Sequence, residues 1–131
     1  MSDVDLKGLF LKHADTLRRY LLRKVRDPQL AADLVQESFL RLAQKPSSER
    51  IDNSQGYLYR TASNLLIDHI RQEARRKTDS VPHEALAEIE DEVAGLEAQA
   101  MAQQQRQALK QALAELTERT QQMVCLNSVE V

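Results

Sequence analysis

The chain has 131 residues, enough for one ordinary domain or for a small helical domain with an appendage. Three glycines, three prolines and 4% aromatic residues favour an all-helical protein. A single cysteine excludes an internal disulfide and predicts a cytoplasmic location. One cysteine and three dispersed histidines provide no zinc-ligand spacing, so we expect neither a metal nor another cofactor. No apolar run approaches the ~18 residues of a membrane span, and no membrane insertion is expected.

Charge is divided unevenly along the chain. Residues 1–77 carry 15 basic and 10 acidic side chains, a net charge of +5. Residues 78–131 carry 3 basic and 10 acidic side chains, a net charge of −7, so the whole chain has −2. This asymmetry is typical of a part that faces nucleic acid joined to an acidic segment.

Two amphipathic helices are predicted in the first third of the chain. Apolar residues recur every three or four positions through Asp5–Arg26, and Asp27-Pro28 ends this helix, since the residue before a proline is pushed out of helical geometry. The second predicted helix, Gln29–Gln44, has one apolar side. Its other side carries Asp33, Gln36, Glu37, Leu40, Arg41 and Gln44. Leu40 is the apolar exception on this polar side.

A third helix is predicted from Gly56 to about Arg76, after a loop of turn formers at Pro46–Ser54 in which Asn53 or Ser54 can cap the helix. At about 100° per residue, four polar residues fall within an arc of roughly 60°. We name this set the cationic row; it consists of Arg60, Asn64, Arg71 and Arg75. The opposite side carries Leu58, Ala62, Leu65, Leu66 and His69.

The cationic row predicts contact with nucleic acid. Guanidinium forks suit phosphate oxygens, and a carboxamide can read the edge of a base. The alternative explanation is a solvated charged face, which is the usual fate of such patterns.

The helical pattern breaks after the third helix. Thr78–Val81 interrupts it, and the acidic stretch Pro82–Glu97 is predicted to be a mobile linker or a loosely held helix. The helical signal returns in Gln99–Leu116. A turn is predicted at Thr117–Thr120, followed by a short final helix at Gln121–Val129. Two helices of this size cannot bury enough surface to stand alone.

No enzymatic motif is present in the sequence. It has no glycine-rich phosphate loop, no nucleophile elbow and no carboxylate pair in an evident cleft. The chain is therefore predicted to be a binding protein and not an enzyme.

Three runs of sequence resemble a known family: AADLVQESFLRL from Ala31, YLYRTASNLLIDHIRQEARR from Tyr57, and LKQALAELTERTQQMVCLNSVE from Leu109. The first two resemble region 2 of bacterial RNA polymerase sigma factors of the extracytoplasmic-function (ECF) group, near its iron-starvation branch. The third is similar to the opening of region 4. The resemblance implies an all-α fold with a three-helix region 2 bundle at 1–77, an acidic linker at 78–104 and a truncated region 4 at 105–131.

The resemblance also implies a protein partner for the second helix. In the family this helix docks on the clamp-helix coiled coil of the largest subunit of core RNA polymerase. At the matching positions of this chain, the polymerase-binding residues would be Asp33, Gln36, Glu37 and Leu40.

For the third helix, the resemblance implies capture of the non-template strand at the promoter −10 element, with one base flipped into a loop pocket. Asn64 would contact the DNA bases, and Ser54 and Gln55 would shape the pocket. The phosphate-binding residues would be Arg60, Arg71, Arg75, Arg76 and Lys77.

The implied function is a sigma factor that initiates transcription and has an anti-sigma protein as its antagonist. Two alternatives stay open. The chain could be a truncated sigma that occupies core polymerase without initiating, as a decoy or an inactive product. It could also be a helical adaptor that binds protein only.

Overall fold

The structure, a computed structural model, describes residues 3–45 and 53–130, with side chains described for 6–45 and 53–125. Four α-helices follow one another in this part of the chain: α1 (Asp3–Val25), α2 (Pro28–Gln44), α3 (Ser54–Arg76) and α4 (His83–Glu130). No strand occurs among these residues. The prediction of an all-α protein is confirmed.

The corner between α1 and α2 forms where the sequence predicts it. α1 ends at Val25, and Arg26 takes a left-handed conformation with φ 56°. The Asp27 carboxylate then accepts the backbone N–H groups of Gln29 at 3.1 Å and Leu30 at 3.3 Å. Pro28 occupies the first turn of α2, where its missing N–H costs no helical hydrogen bond.

Packing of α1, α2 and α3 creates one hydrophobic core. The buried apolar residues of these helices are Leu17, Tyr20, Leu21, Ala31, Val35, Phe39, Leu42, Leu58, Tyr59, Ala62, Leu66 and Ile67. Burial of each large side chain stabilises the fold by about 1.5–3 kcal/mol relative to its exposure. A buried hydrogen bond of 2.8 Å between His13 Nδ1 and Tyr59 Oη joins α1 to α3.

The acidic segment expected to be a mobile linker or a loosely held helix is regular helix from His83 onward. Three apolar side chains of its first turns are buried: Leu86, Ile89 and Val93 are 7%, 6% and 3% exposed. Their spacing of three and four residues places them on one side of α4. An ion pair of 2.8 Å between Lys24 Nζ and Glu92 Oε1 also links α1 to α4. The acidic composition of this stretch concealed a short apolar stripe.

The turn predicted at Thr117–Thr120 is absent, and α4 runs through it. The hydroxyl groups of Thr117 and Thr120 donate to the carbonyls of Leu113 and Leu116, both at 2.9 Å. Threonine fits inside a helix when its hydroxyl bonds to the carbonyl four residues earlier. The separate final helix predicted from Gln121 is thus wrong, because the same helix continues.

The chain divides into two compact units, Met1–Glu97 and Ala98–Val131. The first unit contains α1, α2, α3 and the packed first turns of α4. The described side chains of the second unit are all exposed from 105 to 125. The domain boundaries predicted after residues 77 and 104 stay predictions.

Candidate nucleic-acid and polymerase interface

The cationic row lies on the surface of α3. Arg60, Asn64, Arg71 and Arg75 are all exposed. On the opposite side of the helix, Leu58, Ala62 and Leu66 are at most 1% exposed, and Leu65 and His69 are half-buried. The predicted division of α3 into a buried face and a polar face is confirmed, whereas the role of the row in binding DNA stays a prediction.

One buried residue interrupts the polar face. Ile67 lies three residues after Asn64 and four before Arg71, so it shares their side of the helix, yet it is only 4% exposed. It divides the row into Arg60 and Asn64 at one end and Arg71 and Arg75 at the other. The helical periodicity alone did not predict this division.

The arginines of the cationic row have no acidic partner within the described residues. Arg60, Arg71 and Arg75 form no ion pair there, whereas four surface arginines do: Arg18, Arg19, Arg41 and Arg76. Arg41, for example, lies 3.0 Å from the Glu37 carboxylate, and Arg76 lies 3.0 Å from Glu73. Three unpaired guanidinium groups on one face keep their charge and hydrogen-bond donors available for phosphate oxygens.

Asn53 caps the first turn of α3, as the sequence predicts. Its Oδ1 accepts the backbone N–H of Gly56 at 2.9 Å, and its carbonyl accepts the N–H of Tyr57 at 3.0 Å. Gly56 is buried, and a Cβ atom added there would lie 2.7 Å from Asn53 Cγ. The cap therefore depends on the absence of a side chain at Gly56.

The predicted base-pocket residues lie beside this cap. Ser54 and Gln55 are half-buried, and Gln55 Nε2 is buried without a hydrogen-bond partner among the described residues. The Lys45 ammonium at the end of α2 lies 4.3 Å from the centre of the Tyr57 ring, so the residues that flank the loop are close together. Most of the predicted loop, residues 46–52, lies outside the described residues.

The predicted polymerase-binding residues share one surface of α2. Asp33, Gln36 and Leu40 are exposed, and Glu37 is half-buried. Asp33 Oδ1 accepts the Gln29 side-chain N–H at 2.9 Å. The Leu40 side chain is 47% exposed, which is unusual for a leucine so near a core. This surface combines carboxylates, an amide and one apolar side chain, the mixture expected of a small interface.

Sequence reasoning missed an apolar groove beside this surface. Phe10 is one of the apolar residues that recur along the first predicted helix, but it is 50% exposed and touches Phe39 with ring centroids 5.2 Å apart. The groove has a volume of about 430 Å³ and is lined by Phe10, Ala14, Asp15, Arg18, Ala32, Val35 and Gln36. Gln36 thus belongs both to the predicted interface and to the groove.

A second groove lies at the C-terminal end of α3, where it meets the beginning of α4. It has a volume of about 440 Å³ and is lined by Asp68, Arg71, Ala74, Arg75, Asp79, Ser80, Val81 and Leu86. Two members of the cationic row therefore face a concave surface instead of a flat one. The apolar residues Val81 and Leu86 were the signal in the sequence that could have predicted this wall.

Burial shifts the pKa values of the pair that joins α1 to α3. Burial, with a smaller effect of the Lys12 charge, holds the pKa of His13 below its ordinary value. Burial, with a smaller effect of Glu97, raises the pKa of Tyr59 to about 12. Both side chains are therefore neutral at pH 7, and their hydrogen bond stabilises the packing of α1 against α3.

Within residues 3–45 and 53–130, no group of three or more His, Cys, Asp or Glu side chains is arranged to hold a metal ion. The helices of the same part of the chain are not long and apolar enough to cross a membrane.

Residues 9–76 match the sequence profile of Sigma-70 region 2. The match covers just over half of the chain and contains all of α2 and α3. The chain therefore belongs to the sigma-70 family of RNA polymerase sigma factors. The expected similarity of residues 108–130 to region 4 lies outside this match and stays a prediction.

One relative with a similar sequence is the ECF RNA polymerase sigma factor SigE of Mycolicibacterium smegmatis. The two sequences are 29% identical over 76 residues, which are 58% of this chain and 30% of SigE. The match thus spans about a third of the length of this relative. The similarity supports a place in the ECF group. No solved structure matches the chain.

Proposed function

We propose that this chain is a sigma factor that binds core RNA polymerase and directs it to promoters by recognising the −10 element. The observation that supports this most strongly is the two-sided character of α3. One side is buried in the bundle, and the other presents Asn64 among unpaired arginines. This helix lies inside the stretch that matches Sigma-70 region 2. The chain would act as a binding factor and not as a catalyst.

DNA binding is assigned to α3 and its N-terminal loop. Arg60, Arg71 and Arg75 hold phosphates of the non-template strand, and Arg76 and Lys77 extend this contact to the C-terminal end of α3. Asn64 reads the edge of a base. Ser54 and Gln55 contribute to a pocket for a flipped base, whose extrusion costs a few kcal/mol and is offset by contacts in the pocket.

Polymerase binding is assigned to the exposed surface of α2. Its proposed partner is the clamp-helix coiled coil of the largest subunit. Leu40 forms the apolar centre, and Asp33, Gln36 and Glu37 form the polar rim, which matches a partner surface that is basic at its edge.

The resemblance extends this proposal to regulation and location. We expect an anti-sigma protein to compete for the same surfaces. We also expect the chain to be cytoplasmic and to belong near the iron-starvation branch. A region 4 that begins near residue 105 is the corresponding proposal for the C-terminal unit.

Run-off transcription with purified core polymerase tests the function. A library of genomic promoter fragments serves as template, and pull-down of core by the chain is measured in parallel. A specific transcript that requires the chain supports a sigma factor. Core binding without a transcript from any fragment contradicts it and supports a decoy.

The variant Arg71→Glu/Arg75→Glu separates a DNA-binding factor from an adaptor that binds protein only. The sigma factor loses its transcript but keeps core binding, since the substitutions lie on α3 and not on α2. An adaptor shows the same behaviour as the unmodified chain in every assay. The matched control is Arg18→Glu/Arg19→Glu, at two exposed positions of α1. We expect it to retain transcription.

A further inference from the structure

The groove at the end of α3 is built by three segments of the chain. α3 contributes Arg71 and Arg75, the turn contributes Ser80 and Val81, and α4 contributes Leu86. Neither arginine forms an ion pair with a described residue, although Asp68 lies only three residues before Arg71. Two free guanidinium groups one helical turn apart therefore face the same concavity.

We propose that this groove holds one particular phosphodiester of the bound DNA strand, an inference that rests on the proposed function. The two guanidinium groups and the Ser80 hydroxyl donate to the phosphate oxygens. Ala74, Val81 and Leu86 provide an apolar wall for the adjoining deoxyribose. The turn after α3 and the first turns of α4 thus belong to the DNA site, together with the helix that carries the cationic row.

Local hydrogen bonds fix the turn against α3. The N–H of Asp79 donates to the Ala74 carbonyl at 2.8 Å, and the N–H of Thr78 donates to the Arg75 carbonyl at 3.1 Å. Thr78 has φ 56°. Together these features form a Schellman motif, which reverses the chain at a helix end. Leu86 is buried and also lines the groove, so this part of the wall is in place before any ligand binds.

The groove favours a diester of the bound strand over a free anion, because the strand tethers the diester beside a site with little net charge. Asp68 and Asp79 also line it, so two guanidinium and two carboxylate groups give a formal charge of zero. A free phosphate dianion gains little from such a site. A monoanionic diester is held near the groove by the rest of its strand, which raises its effective concentration there.

Single methylphosphonate linkages test the inference. The complete chain with core polymerase binds a fluorescent non-template strand that covers the −10 element of the promoter found by run-off transcription. Each phosphate is replaced in turn by the uncharged linkage. At one position, the replacement weakens binding about tenfold for the unmodified chain and less than about twofold for Arg71→Ala/Arg75→Ala. Arg60→Ala, outside the groove, keeps the tenfold sensitivity.

The outcomes separate this inference from the proposed function. If the unmodified chain fails to bind the strand at all, both are overturned. If it binds but no linkage couples to Arg71 and Arg75, the inference alone is overturned.

Removal of the groove's negative charges gives an independent test. We expect Asp68→Asn/Asp79→Asn to raise strand affinity roughly threefold, because repulsion of the phosphate is removed, and a misfolded variant would not bind more tightly. Asp91→Asn, an exposed carboxylate of α4 outside the groove, leaves the affinity unchanged. Inorganic phosphate at matched ionic strength does not displace the strand. An unchanged affinity in the double variant, or displacement by inorganic phosphate, contradicts the inference.

Discussion

Asn53 and Gly56 form an interlocked pair at the beginning of α3. The Asn53 side chain accepts the Gly56 N–H at 2.9 Å, and it occupies the space that a Cβ atom at Gly56 would need. A glycine inside the first turn of a helix normally weakens it, because glycine has more conformational freedom to lose. Here the glycine permits the cap, and the cap fixes the helix end next to Ser54 and Gln55, the predicted base-pocket residues.

Gly56→Ala is expected to destabilise the fold by about 1–2 kcal/mol, since the new methyl group displaces Asn53 from the helix end. Urea unfolding monitored by circular dichroism measures the change. Gly8→Ala in α1 is the matched control, because nothing lies within 4 Å of its added Cβ. The control should stabilise the fold by up to about 1 kcal/mol. Equal effects of the two substitutions would contradict the account of the cap.

The first turns of α4 are expected to contribute to stability like a core element. Leu86→Ala should cost about 2–4 kcal/mol, whereas Leu113→Ala, at a position 53% exposed on the same helix, should cost about 0.5 kcal/mol or less. Both values come from urea unfolding of the complete chain. If Leu86→Ala costs as little as Leu113→Ala, the segment is a linker after all.

Stability should fall as the pH is lowered below about 6.5, the ordinary pKa of histidine. Burial depresses the pKa of His13 in the folded state, so the unfolded chain binds this proton first. The contribution is complete above the unfolded pKa and is lost, at up to about 1.4 kcal/mol per pH unit, as the pH falls towards the folded pKa. His13→Gln should have a shallower pH dependence of the unfolding free energy over that range. A proton NMR titration that gives His13 a pKa at or above the ordinary histidine value of about 6.5 would argue against this mechanism.

Leu40→Ala should weaken binding to core polymerase about tenfold, because an exposed leucine among carboxylates is placed to act as an apolar anchor. The measurement is a competition for core with the fluorescently labelled unmodified chain. Leu11→Ala in α1 is the control, since Leu11 is even more exposed, at 73%, and lies outside the predicted interface. Equal losses in the two variants would indicate that Leu40 has no special role.

Much of the bundle could be predicted from the sequence because its signals are local. The Asp27-Pro28 corner, the Asn53 cap and the two sides of α3 follow from chain geometry and from the period of apolar residues. The first turns of α4 could not be predicted as packed, because three apolar residues are few among so many acids. Likewise, the burial of Ile67 depends on how other segments pack against α3, which no local pattern contains.

The claim that the unpaired arginines of α3 hold promoter phosphates is tested most directly by the salt dependence of strand binding. The affinity of the polymerase complex for the non-template −10 strand is measured between low and physiological salt for the unmodified chain and for Arg60→Ala, Arg71→Ala and Arg75→Ala. Arg60→Ala should reduce the slope of log K against log salt by about 0.7, the value for one lost contact to a single strand, whereas Arg71→Ala and Arg75→Ala, which share one phosphate, should each reduce it by less. Slopes identical to that of the unmodified chain in all three variants would contradict the account.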